Sequence, residues 1–130
     1  MIASLNGWVV LLVAVAGGLG SLTRFGLQKL LPAHGYKIPM GVLIANLCGS
    51  LIAGLTAGLA MSSANITSTV LLIVIAGFCG GLTTFSTFAV ETIQLNQSGT
   101  GVAALINVVA NVGLGLAAAS LGILLATVFA

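Results

Sequence analysis

Residues 80–88 read Gly80-Gly81-Leu82-Thr83-Thr84-Phe85-Ser86-Thr87-Phe88, and they follow an apolar run of isoleucine, leucine and valine at residues 70–75. The apolar run begins an ordinary membrane-spanning helix. Two glycines then raise the entropic cost of a helix, and four hydroxyl residues can compete with the backbone for hydrogen bonds. The stretch therefore predicts a third transmembrane helix that is broken mid-span. The alternative is a continuous helix whose Thr and Ser side chains bond back to the preceding turn.

The chain carries almost no charge. Of its 130 residues, three are Lys or Arg, one is Asp or Glu, and 59% are hydrophobic. A soluble domain carries about 25% charged residues, so most of the surface of this chain must face lipid. The net charge of +2 is too small to indicate a nucleic-acid partner. Composition therefore predicts an integral membrane protein.

Four spans with short loops account for nearly the whole chain, because about 20 apolar residues cross the bilayer core as a helix. We predict an all-α, single four-helix transmembrane domain over residues 1–130, with spans at about 5–27, 38–61, 70–95 and 102–129. The first loop holds Lys29, His34, Gly35 and Lys37, and its lysines favour a cytoplasmic position. That bias is only a few charges, so the chain could insert in both orientations.

Small and polar residues recur at four-residue spacing on two spans, a pattern that lets membrane helices approach closely. They are Asn46, Ser50, Gly54 and Gly58 on the second span, and Ala103, Asn107, Asn111, Gly115 and Ala119 on the fourth. The asparagines require more than packing, because an amide in hydrocarbon must find a partner inside the protein or in a water-filled cavity. The two on the fourth span lie one turn apart, so their amides point the same way.

The predicted break has two possible uses. Interrupted helices form ion sites in transporters, because freed carbonyls can coordinate a cation and hydroxyls can donate to an anion. Phe85 and Phe88 share a face of the resumed helix, and their ring edges attract an anion without a fixed charge. Core packing is the alternative for this pair, but the neighbouring Ser86 and Thr87 favour a pore wall.

Two charged residues lie at the ends of predicted spans. Arg24 ends the first span, where it either extends to the membrane interface or sits in a vestibule that concentrates anions. Glu91 lies three residues after Phe88. A lone carboxylate there could carry protons, pair with Arg24 or a lysine, or lie at the interface.

Three motifs occur in order along the chain: Gly18-Leu19-Gly20-Ser21-Leu22-Thr23-Arg24-Phe25, Ala45-Asn46-Leu47-Cys48-Gly49-Ser50, and Gly77-Phe78-Cys79 followed by the stretch from Gly80 to Phe88. Together they resemble the Fluc family of small fluoride channels, and the similarity extends across the whole chain. The resemblance implies a channel rather than an enzyme, which exports fluoride passively across the cell membrane. It also implies an antiparallel homodimer with two pores and dual topology.

The resemblance also implies roles for the pore residues. Asn46 would line the fluoride pore, and Phe85 and Phe88 would form its aromatic track. Ser86 and Thr87 would supply hydroxyls along the third helix.

The fourth helix departs from the family pattern. Many relatives carry an aromatic residue and a serine where this chain has Asn107 and Asn111. An asparagine can donate a hydrogen bond to fluoride, but it has no ring edge. The two asparagines are nevertheless predicted pore residues.

A sodium ion (Na+) is the cofactor that the resemblance implies. The family holds this structural ion on the dimer axis with backbone carbonyls at the helix break, and the matching positions are Gly80 and Thr83. Arg24 matches the arginine of the first helix and Glu91 an acidic residue after the aromatic pair. We expect these two to be vestibule or structural charges.

Two other functions compete with a channel. A proton-coupled small multidrug transporter also has four helices, but it needs a membrane-embedded carboxylate, and this chain offers only Glu91. A non-transporting assembly subunit would account for the glycine stripes. It would leave the hydroxyl-rich break and the deep asparagines unexplained.

Overall fold

The chain folds into four long helices in a computed structural model that describes residues 6–33, 38–62 and 66–129. The helices are Gly7–Leu30, Met40–Ser62, Ser68–Gln97 and Gly101–Phe129, and each is long and apolar enough to cross a membrane. Each overlaps one predicted span. The described residues contain no strand, so the all-helical prediction is confirmed. His34, Gly35 and Lys37 lie outside the described residues.

The third helix is interrupted at two threonines. Its first half, half-helix 3a, covers residues 68–82 and is π-helical over Leu72–Cys79. Thr83 (φ −81°, ψ 155°) and Thr84 (φ −151°, ψ 124°) are extended. Half-helix 3b then runs over Phe85–Gln97. The predicted interruption is present within the stretch 80–88, at its first two hydroxyl residues.

The glycines before the break serve close packing instead. A Cβ atom on Gly81 would overlap the carbonyl oxygen of Gly17, and one on Gly20 would overlap the carbonyl oxygen of Phe78. The first helix and half-helix 3a therefore touch backbone to backbone, as small residues permit between membrane helices. This contact fixes the end of half-helix 3a against the first helix.

The second and fourth helices pack along their small residues. A Cβ on Gly54 would overlap the carbonyl oxygen of Ala119, and one on Gly58 would lie 2.7 Å from the Cβ of Ala126. The predicted stripes therefore do form a helix contact. It holds Asn46 and Asn111, which lie on these helices, on the same side of the third helix.

Large apolar side chains cover the outside of the molecule. Trp8 and Leu22 on the first helix, and Val102 and Leu116 on the fourth, are each more than two-thirds exposed, at 75%, 67%, 74% and 67%. Such a surface suits lipid rather than water. The fold is that of a multi-pass membrane protein.

Candidate functional site

A cavity of about 280 Å³ lies beside the helix break. Residues of the second, third and fourth helices line it: Asn46, Ser50, Thr83, Thr84, Phe85, Phe88, Asn111 and Val112. The fold thus brings together the predicted asparagine of the second span, both phenylalanines, and one asparagine of the fourth span. The lining combines amides, hydroxyls and ring edges, and it includes no charged side chain.

The Asn46 side chain forms hydrogen bonds with the backbone at the break. Its Oδ1 accepts from the Thr84 backbone N–H at 2.8 Å, and its Nδ2 donates to the Thr84 carbonyl oxygen at 3.3 Å. An extended residue presents its N–H and C=O to the same side, as in a hydrogen-bonded pair of a β-ladder. One amide can therefore pair with both groups, and it removes the cost of leaving them unpaired in a membrane.

The hydroxyl of Thr84 caps the N-terminus of half-helix 3b. Thr84 Oγ1 accepts from the Thr87 backbone N–H at 3.2 Å, which is a standard N-cap bond. The same oxygen lies 3.2 Å from Thr87 Oγ1 and 3.3 Å from Ser86 Oγ. Three hydroxyls therefore cluster at the start of this half-helix. Thr84 is buried, Thr87 is half-buried and Ser86 is exposed.

Phe85 and Phe88 contact each other edge to face. Their ring centroids are 5.6 Å apart, and the planes meet at 65°. Phe88 is 7% exposed, whereas Phe85 is 78% exposed. The aromatic pair therefore runs from the interior of the chain to its outer surface, with ring edges that favour negative charge.

The two asparagines of the fourth helix have different positions. Asn111 lines the cavity, where its Oδ1 accepts from Asn46 Nδ2 at 2.8 Å. Asn107 is 1% exposed and lies behind it, outside the cavity lining. Asn111 Nδ2 donates to both the backbone oxygen and the Oδ1 of Asn107 at 3.0 Å. Asn107 Nδ2 in turn donates to Thr92 Oγ1 at 2.9 Å.

Arg24 and Ser21 reach from the first helix to the end of half-helix 3a. Arg24 Nη1 donates to the Thr83 carbonyl oxygen at 3.5 Å, and Ser21 Oγ donates to the Gly81 carbonyl oxygen at 3.4 Å. Both contacts are long and therefore weak. The Arg24 contact places a positive charge beside the carbonyl end of the half-helix, where the helix dipole favours a cation.

Glu91 lies one turn after Phe88 on half-helix 3b. Its Oε2 atom is buried and has no hydrogen-bond partner in the part of the chain that the structure describes. The pairing with Arg24 considered from sequence is not formed in this chain, since Arg24 contacts the break instead.

The end of half-helix 3a offers oxygens that suit a hard monovalent cation. The Cys79 carbonyl accepts the Thr83 N–H at 2.9 Å, so the four carbonyls that follow have no helical donor. Those of Gly81 and Thr83 receive Ser21 and Arg24. Each carbonyl has two lone pairs, so the carbonyls of Gly80 and Thr83 fit the predicted sodium ligands. Among the described residues, no cluster of three His, Cys, Asp or Glu side chains provides another metal site.

Sequence reasoning did not single out Ser50 or Thr92 as site residues. Ser50 lies four positions after Asn46 and so shares its helix face, a signal that could have placed it in the cavity. Thr92 had no such signal, because a threonine on a polar helix segment is an ordinary residue. Its contact with Asn107 depends on how half-helix 3b packs against the fourth helix.

Known proteins resemble this chain over most of its length. The fluoride-specific ion channel FluC of Pyrococcus abyssi is 40% identical over 122 residues, which cover 94% of this chain and 98% of that protein. FluC of Renibacterium salmoninarum is 42% identical over 125 residues, covering 91% and 98%. FluC 1 of Yersinia pseudotuberculosis serotype I is 40% identical over 121 residues, covering 93% and 95%.

The family comparison covers the same region. Residues 11–123 match the model of a family described as CrcB-like protein, Camphor Resistance (CrcB). The matched region includes the helix break, Asn46 and the fourth-helix asparagines. The chain therefore belongs to the CrcB-like family.

Proposed function

We propose that this protein is a fluoride-selective ion channel that exports fluoride passively across the cell membrane. The observation that carries the proposal is the cavity beside the break, where the Asn46 amide, hydroxyls and the edges of Phe85 and Phe88 meet. Relatives that cover almost the whole chain bear the name fluoride-specific ion channel. Family membership and cavity chemistry agree.

The chemistry of the cavity suits a small, strongly hydrated anion. A selective pore must replace the water around the ion with donors, yet release the ion quickly. Amide N–H groups, hydroxyls and ring edges donate without a permanent positive charge that would trap the anion. Asn46, Phe85 and Phe88 lie in the wall, while Ser86 and Thr87 would extend the polar surface along half-helix 3b.

A second copy of the chain would complete the pore. Phe85 and Ser86 lie near the middle of the third span, and both are exposed. An open cavity with amides and hydroxyls in its wall is unfavourable against hydrocarbon, so another protein surface is expected to cover this region. We propose an antiparallel homodimer with two pores, each built from both chains, and dual topology in the membrane.

A structural Na+ ion is part of this proposal. The carbonyls of Gly80 and Thr83 from the two chains would hold it on the dimer axis. The ion would supply positive charge that links two carbonyl-rich helix ends, which repel each other when unpaired. Arg24 would stabilise the same end from the first helix, and Glu91 would lie at the far side of the aromatic pair.

Fluoride efflux from proteoliposomes tests the proposal. Purified protein is reconstituted in potassium fluoride or potassium chloride, and efflux is started with valinomycin and read with ion-selective electrodes. We expect rapid fluoride efflux and little chloride efflux. A correctly folded protein without fluoride flux would overturn the proposal, and fluoride movement that requires a proton gradient would favour a coupled transporter.

A further inference from the structure

A series of hydrogen bonds with one direction, called the relay below, connects Thr92 to Asn46 through Asn107 and Asn111 of the fourth helix. We propose that Asn107 and Thr92 are positioning residues for the Asn46 amide and act on it through Asn111. This inference rests on the proposed fluoride function, since Asn46 is the amide that would meet the ion. It assigns to Asn107 a role other than contact with fluoride.

The relay begins at a backbone N–H group, which can only donate a hydrogen bond. The backbone N–H of Thr84 points to Asn46 Oδ1 at 2.8 Å, so the oxygen of this amide must face the break. The nitrogen of Asn46 must then face Asn111, whose Oδ1 lies 2.8 Å away. A flipped Asn46 would put its N–H₂ against another donor, and this fixes the orientation of both amides.

The relay ends at a backbone carbonyl, which can only accept a hydrogen bond. Asn111 Nδ2 donates to the Asn107 carbonyl and Oδ1, each at 3.0 Å, and Asn107 Nδ2 donates to Thr92 Oγ1 at 2.9 Å. The Thr92 hydroxyl donates to the Phe88 carbonyl at 2.8 Å. Because the relay runs from the backbone N–H of Thr84 to the backbone C=O of Phe88, the direction of its hydrogen bonds cannot reverse.

The local geometry of the fourth helix supports this arrangement. Residues Ala110–Leu114 are π-helical, and such wide turns often occur at functional sites. The Asn107 carbonyl accepts both the Ala110 N–H and the Asn111 side chain. The side chain of Asn111 is therefore held by backbone at the start of the wide turn.

The relay leaves one N–H of Asn46 loosely held. One hydrogen of Asn46 Nδ2 makes the short bond to Asn111, and the other makes a bond of 3.3 Å to the Thr84 carbonyl. The longer bond is the weaker one, and Asn46 lines the cavity. This second hydrogen is the one that an anion can capture.

The relay also determines which hydrogen-bonding group Asn111 presents to the cavity. Both hydrogens of its amide are used by Asn107, so Asn111 acts toward Asn46 as an acceptor. Of the two amides that line the cavity, only that of Asn46 therefore has a hydrogen to offer an anion. Asn107, which is 1% exposed, sets this arrangement without touching the ion.

The test compares two threonines that make the same local hydrogen bond, of which only Thr92 belongs to the relay. Thr92→Val removes the hydroxyl and keeps the shape, whereas Thr92→Ser keeps the hydroxyl. Thr56→Val is the matched control, because Thr56 Oγ1 also donates to a carbonyl four residues earlier, at 2.8 Å, but has no bond to the relay. The readouts are the half-saturating fluoride concentration and the maximal efflux rate, with elution volume in detergent as the folding check.

We expect Thr92→Val to raise the half-saturating fluoride concentration by about threefold to tenfold, the equivalent of one hydrogen bond. Thr92→Ser should behave as wild type, and so should Thr56→Val. Asn107→Leu should raise the concentration too. The double variant Thr92→Val/Asn107→Leu should be no worse than the poorer single variant, because both break one chain.

Several outcomes would overturn the inference. Equal half-saturating concentrations for Thr92→Val and Thr56→Val would overturn it, as would additive effects in the double variant. If Thr92→Val does not fold, Asn107→Leu alone decides, and an unchanged concentration overturns the relay. Absence of fluoride flux in the wild type would instead overturn the proposed function, and the relay with it.

Discussion

Asn46 and Thr84 are paired through both backbone groups of Thr84, although 38 positions separate them in the chain. The pairing lets two residues leave the helical conformation inside a membrane span without unpaired peptide groups. It also orients the side-chain amide that faces the cavity. One contact therefore serves both the stability of the break and the chemistry of the site.

Replacing Asn46 tests this double role. Asn46→Leu should lower the free energy of unfolding by about 1–3 kcal/mol, because the buried N–H and C=O of Thr84 lose their partner. The same variant should lose most fluoride flux. Thermal unfolding in detergent and electrode efflux check the two effects. Asn96→Leu, at an exposed position near the end of half-helix 3b, is the control and should leave both near wild type; equal stability of the two variants would contradict the pairing.

The aromatic pair can be tested with substitutions that keep an apolar side chain at each position. Phe85→Ile and Phe88→Ile each remove a ring edge and retain an apolar side chain, so flux should fall strongly while the elution volume of the protein stays that of wild type. Phe25→Ile is the matched control, since Phe25 is 58% exposed on the first helix and outside the cavity. Unchanged flux in both test variants would remove the pair from the pore.

The close approach of the first helix to half-helix 3a predicts a difference between two glycines. Gly81→Ala should destabilise the protein by about 1–3 kcal/mol, a cost typical of overpacking, because its Cβ would overlap the rigid carbonyl of Gly17. Gly18→Ala meets nothing within 4 Å and should have no such effect. Equal melting temperatures for the two variants would show that this packing is wrong.

The proposed Na+ ion predicts a dependence on the cation in the buffer. Sodium should raise the temperature at which the proposed dimer dissociates, because an ion that binds only the assembled state stabilises it. N-methyl-D-glucamine at the same ionic strength should not. Dissociation measured by light scattering across a temperature ramp gives the comparison, and identical curves in the two cations would argue against an ion held by Gly80 and Thr83.

Dual topology has a direct test. The variant lacks both native cysteines, Cys48 and Cys79, and carries one new cysteine near a terminus. If chains insert in both orientations, this cysteine should react with an impermeant maleimide from both sides of the membrane. Half of the label should be accessible from outside sealed cells or vesicles and the remainder only after permeabilisation. Labelling from one side alone would refute the antiparallel arrangement.

Much of the fold could be predicted from sequence because lipid imposes simple requirements. The four spans follow from apolar length, and the interruption follows from the hydroxyl-rich stretch. The exact residues of the break did not follow. The entropic cost of glycine and the hydroxyl residues together indicate only the stretch 80–88. Gly80 and Gly81 remain helical, whereas the peptide groups of Thr83 and Thr84 find partners elsewhere.

The candidate site was predictable only where a single helix face carries the signal. Asn46, Phe85 and Phe88 do meet at one cavity, as their polarity and spacing suggested. The separate positions of Asn107 and Asn111 could not be foreseen, since ideal helical spacing places both amides on one face. The difference depends on the π-helical turn at Ala110–Leu114 and on Thr92, a partner from another helix.

The reversal potential of the current in a planar bilayer tests the central claim most directly. Protein is inserted into a bilayer with a fluoride gradient, equal chloride on both sides and a large impermeant anion for balance, first with the same pH on both sides and then with a pH gradient. A passive fluoride-selective channel predicts a reversal potential at the fluoride equilibrium potential, and no shift when a pH gradient is added. A reversal potential near zero, or one that moves with the pH gradient, would contradict the proposed channel.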